Sequence, residues 1–74
     1  MSNKDKFAEV YAQAFIDSYP QLPAEKSKDL IQKATRAATN NIRGVSLDGA
    51  AFKLTAKRLG IKCTYKAFEA FFNN

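Results

Sequence analysis

Apolar residues recur at spacings of three and four along almost the whole chain, and three clusters of breakers interrupt them: "SYPQLP", Arg43-Gly44 and "LGIKCT". That period belongs to helices. No alternating strand pattern, Asn-Gly hairpin signal, repeat or low-complexity linker competes with it. The expected fold is therefore all-α, a single domain over residues 1–74 made as a small bundle of four short helices.

The first segment, about Asn3 to Ser18, places Phe7, Val10, Tyr11, Ala14 and Phe15 on one stripe, with Glu9, Gln13 and Asp17 opposite. "SYPQLP" stops it, because proline cannot continue the hydrogen-bond ladder and restricts the residue before it. Pro23 is suited to open the second helix, where its missing N–H costs nothing. From there to about Asn41, the residues Leu30, Ile31, Ala34, Ala37, Ala38 and Ile42 are expected to share a buried arc. Its small residues would let a neighbouring helix approach closely, and Asp29 and Lys33 stand four apart in the favourable order. Gly44 is expected to end this helix in the left-handed conformation.

Ser46 is the expected N-cap of the third helix, with Asp48 in its first turn and Phe52, Ala56 and Leu59 as its buried stripe. Phe52, at the head of that stripe, should be almost fully buried against Phe15 or Phe68. Gly60 ends the helix, and Thr64 caps a fourth running from Tyr65 to about Phe72. Cys63 and Phe68 flank that cap at the spacing of a hydrophobic staple, so Cys63 is expected to be a small buried apolar residue.

Composition narrows the chemistry. Cys63 is the sole cysteine and histidine is absent, so neither an internal disulfide, nor a zinc site of the usual ligands, nor a Ser-His-Asp or Cys-His device can be assembled. A chain of 74 residues seldom encloses a deep pocket, so an enzyme is not expected, nor a cofactor. No run of 18 apolar residues is present, and "MSNKDKFAEV" lacks the apolar core of a signal peptide, which gives a cytoplasmic expectation.

Charge is uneven. Residues 1–42 carry six Lys/Arg against five Asp/Glu, whereas residues 43–74 carry six against two. Most of the net charge of +5 thus sits in the C-terminal half. A polyanion suits such a field, nucleic acid first and an acidic protein surface second. Lys53, Lys57 and Arg58 lie away from Phe52, Ala56 and Leu59, and Lys62 extends them through the turn, giving a face able to bind phosphates without sequence selectivity.

"TAKRLGIKCTYKAF" resembles the helix-turn-helix of bacterial and phage regulators: Ala56 is a small residue in the first helix, Gly60 opens the turn, Ile61 plugs the core and Thr64 caps the following helix. Lys66 stands six residues after Gly60, where the common motif has an aliphatic anchor, so Phe68 or Tyr65 would take that role. The resemblance implies a small DNA-binding regulator of the phage, plasmid or bacterial kind. Its nucleic-acid-binding residues would be Lys53, Lys57, Arg58, Lys62, Thr64, Tyr65 and Lys66, with duplex DNA as partner. On the last helix Ala67, Phe71, Phe68, Phe72 and Tyr65 span an arc of roughly 160°. So wide an aromatic arc suggests a homodimer through Phe68, Phe71 and Phe72. The alternative is a compact interaction module that inhibits or modulates an acidic or nucleic-acid-handling protein.

Overall fold

In the computed structural model, which describes residues 2–21, 24–44 and 47–73, four α-helices follow one another: α1 (Asn3–Ser18), α2 (Ala24–Ala38), α3 (Gly49–Leu59) and α4 (Tyr65–Phe72). No strand occurs among the described residues, so the fold is all-α. No described helix is long and apolar enough to cross a membrane.

Local chemistry sets most of the helix ends. Ser2 caps α1 by accepting a hydrogen bond from the Asp5 N–H, and Thr64 caps α4 by accepting one from Ala67. The α3 cap is Asp48, which accepts from the Ala51 N–H. It replaces the expected Ser46, which lies outside the described residues, as does Pro23. Gly60 closes α3 at φ 72°, with the Ile61 N–H reaching the Ala56 carbonyl (3.1 Å) and the Gly60 N–H that of Lys57 (3.3 Å), a Schellman arrangement. Gly44 behaves otherwise than expected. Gly60 has the one positive φ among the described residues, and α2 instead runs into a 3₁₀ stretch, Thr39–Gly44, kinked at Asn41.

The helix α1 is the hub, with α2 and α3 both packed along it. Phe7 and Tyr11 of α1 meet Ile42, Ala51, Ala56 and Phe68 in the buried core. Phe7 sits edge-on to Phe68 and to Phe72, each at 5.1 Å between ring centroids. Ala8, Ala12 and Ala14 are also fully buried, which lets the neighbouring helices approach α1 closely. Val10 and Phe15, expected on its buried stripe, are half-buried.

The buried face of α2 differs from the expected one. Ile31, Thr35, Ala38 and Ile42 turn inward, while Leu30, Ala34 and Ala37 are exposed, Leu30 by 68%. At about 100° per residue the inward face is rotated by roughly 60° from the expected arc. Thr35 can be buried because its hydroxyl donates to the Ile31 carbonyl (2.6 Å), leaving only its methyl to pack. Thr55 on α3 does the same with Ala51, so the buried positions of α3 are Ala51, Thr55 and Ala56. Phe52, expected almost fully buried, is half-buried, with its ring 4.4 Å from that of Phe68. Leu59 too is half-buried.

Polar contacts lock the entry to α3. The Asp48 N–H donates to Tyr11 Oη (2.9 Å), and Tyr19 Oη donates to Asp48 Oδ1 (2.6 Å). At the other end of the bundle, Asn3 Nδ2 donates to the Phe71 carbonyl (2.8 Å).

Candidate nucleic-acid interface

The helix α3 presents its inner positions to α1 and α4, so its outer face is built from what remains: Ala50, Lys53, Leu54, Lys57 and Arg58. Ala50, Lys53, Leu54 and Lys57 line a shallow depression there. Lys53 and Lys57 stand one turn apart and are exposed. The Schellman turn then carries Lys62 outward, and Lys66 lies exposed in the first turn of α4. Thr64 and Tyr65 are exposed between them, with the Thr64 hydroxyl committed to the α4 cap.

Arg58 departs from the arrangement expected for it. Around the α3 axis it sits about 100° from Lys57 and about 140° from Lys53, on the edge that meets α1. There its guanidinium pairs with Asp17 Oδ2 at 2.6 Å. This bond, helped by Gln13, holds the Asp17 carboxyl below the usual carboxylate range. The absence of acidic residues from the sequence between Gly49 and Ala67 therefore does not leave Arg58 unbalanced, because α1 supplies the counter-charge.

The other arginines are matched as well. Arg36 meets Asp5 at 2.8 Å, and Arg43 meets Glu69 at 2.7 Å. Lys33 meets Asp29 at 3.4 Å, the pair expected on α2. Asp48 is occupied by Tyr19 and its own helix end. With those carboxylates taken, Lys53, Lys57, Lys62 and Lys66 have no ion-pair partner among the described residues, as is also true of Lys4, Lys6 and Lys28 on α1 and α2.

Tyr65 is 42% exposed and stands against Phe52, ring centroids 5.7 Å apart. The Arg43 guanidinium lies over the same ring at 5.9 Å. Arg43 thus belongs to this surface, although in the sequence it reads only as a helix end. Its partners Tyr65 and Glu69 lie more than twenty residues away, and no spacing rule reaches that far. Cys63, expected to be buried, is exposed in the turn beside Lys62, so the staple with Phe68 does not form. Phe68 is fully buried within the chain, which withdraws it from the arc expected to be shared with a second copy. Phe71 and Phe72 keep part of their surface accessible.

Compared with family models, with characterised proteins and with solved structures, the chain has no significant match.

Proposed function

We propose that this chain is a small DNA-binding regulatory protein of the phage, plasmid or bacterial type. It would contact the phosphates of duplex DNA through α3, the turn and the start of α4. The observation that carries the reading is the set of exposed lysines, Lys53, Lys57, Lys62 and Lys66, that form no ion pair among the described residues while every arginine forms one. Phosphate can replace the counterions that such lysines otherwise gather, and their release drives association. The helix-turn-helix resemblance of "TAKRLGIKCTYKAF" adds to this reading. A homodimer through Phe71 and Phe72 is a further part of it.

Titration against random duplex DNA at two salt concentrations tests the proposal. Affinity should fall steeply with salt. Neutralising Lys53 and Lys57 together should lower the log–log salt slope by roughly two, about 0.9 for each phosphate that is no longer neutralised. Neutralising Lys28 and Lys33 should change it much less, since Lys33 is paired with Asp29 and Lys28 donates to Gln13. Equal weakening by both pairs would mean diffuse attraction with no interface on α3.

A second reading is the compact interaction module, and the outer face of α2 favours it. Leu30, Ala34 and Ala37 make an exposed apolar strip beside a groove lined by Tyr11, Phe15, Ile31 and Leu47. Absence of duplex binding at ~50 mM salt would leave this reading in front.

A further inference from the structure

We propose that Tyr65 is a stacking platform for an unpaired base, so that the basic surface favours DNA with single-stranded character, such as an overhang, a gap or an open bubble, over closed duplex. This rests on the phosphate-binding reading of Lys53, Lys57, Lys62 and Lys66 and narrows the ligand that they hold.

Three observations combine. Most aromatic rings of the chain point inward, with Phe7, Tyr11 and Phe68 buried, whereas Tyr65 keeps 42% of its surface open. Tyr65 is nonetheless held in place: Phe52 packs against its ring and the Arg43 guanidinium lies over it, itself tied to Glu69. A ring fixed beforehand loses little freedom when a planar ligand settles on it. Finally, Tyr65 lies in the chain between Lys62 and Lys66, both exposed and both without ion-pair partners among the described residues. A rigid exposed aromatic set among free cations is the combination that single-strand binding uses, with the cations following the backbone and the ring taking bases of any sequence.

The outward side of α4 points the same way. Reading a closed duplex needs several donors projecting from one helix into the major groove. Here α4 offers Lys66, Ala70 and Asn73 outward, and Glu69 is engaged by Arg43. With so few donors for base edges in a closed groove, the exposed ring is the group left to engage a base, and it can do so only where the base is unstacked.

The test compares a short oligo-dT strand with a duplex of equal length, using the unmutated protein, Tyr65→Phe, Tyr65→Leu and the Lys53→Gln/Lys57→Gln double variant, with thermal melting as the check on folding. The unmutated protein should bind the single strand more tightly than the duplex. Tyr65→Phe should keep that preference. Tyr65→Leu should lose about 5- to 150-fold on the single strand while changing little on the duplex. The lysine variant should weaken both ligands. Tyrosine emission of the unmutated protein gives a readout free of any substitution, since Tyr11 is buried and Tyr19 is bonded to Asp48. It should be quenched by the strand and not by the duplex. If Tyr65→Leu matches Tyr65→Phe, or if both ligands weaken equally with it, the platform is refuted and the lysine surface stands. If neither ligand binds the unmutated protein, both readings fall together.

Discussion

Asp48 does two jobs with its side chain and one with its backbone: the carboxylate caps α3 and accepts the Tyr19 hydroxyl, and the N–H donates to Tyr11 Oη. The Tyr19 bond, with those from the α3 backbone, holds its carboxyl below the usual range. Burial pushes the Tyr11 phenol up, and the bond to Asp48 pushes up that of Tyr19. The two shifts act on stability at opposite ends of the pH scale. A carboxyl with a lowered folded pKa contributes fully above its ordinary value of 3.8, and that contribution is lost as the pH falls further. A phenol with a raised folded pKa contributes below its ordinary value of 10.0 and loses this as the pH rises. Melting midpoints followed from about pH 2 to about pH 11 should therefore form a plateau with a fall at each end. Tyr19→Phe should lower the plateau and flatten both limbs, so that its curve approaches that of the parent at the two extremes of pH. Curves for Tyr19→Phe and the parent that run parallel throughout would show that this cluster does not govern either limb.

Among the elements, α3 ends where its backbone must turn left-handed, and Gly60 supplies that turn without strain. A Cβ at this position would meet nothing within 4 Å, so Gly60→Ala isolates the backbone cost from any clash. Denaturant titration should find a loss of about 1–2 kcal/mol. No loss would mean that the turn relaxes into another shape. This end was legible in the sequence, as were the bounds of α1 and α4, because a glycine, a proline or a threonine next to a helix acts within a few residues. The inward face of α2 was not. Leu30 and Ile31 are adjacent, about 100° apart on the helix, and alanines on every side supply no contrast to choose which of them leads the inward face. Thr35 decides the matter through a bond to its own helix, which makes a nominally polar residue fit for the core. Nor could spacing show that Asp17 would neutralise Arg58 or that Arg43 would lie over Tyr65, since 41 and 22 positions respectively separate these partners. Exposure of the lysines was legible; their lack of ion-pair partners among the described residues was a property of the assembled fold.

For the molecule as a whole, the accessible surface is 4814 Å², while a stable interface takes roughly 800 Å² from each partner. A dimer would thus cover about a sixth of the chain, more than the half-buried Phe71 and Phe72 can supply alone. The proposed dimer must therefore be weak, with the weight-average mass in sedimentation rising only from micromolar concentrations upward. A constant monomer mass up to about 100 μM would remove it. One hydrogen bond at the end of the bundle, from Asn3 to the carbonyl of Phe71, also has a meaning in time. Its partners are 68 positions apart, and the Phe7 ring likewise waits for Phe68 and Phe72. During synthesis α1 emerges early but finds these partners only once α4 has been made. The nascent chain therefore cannot complete its fold in stages. A product truncated ahead of α4 would lack the final closure, so the fold inspects its own synthesis: only a chain that carries α4 can shut its core.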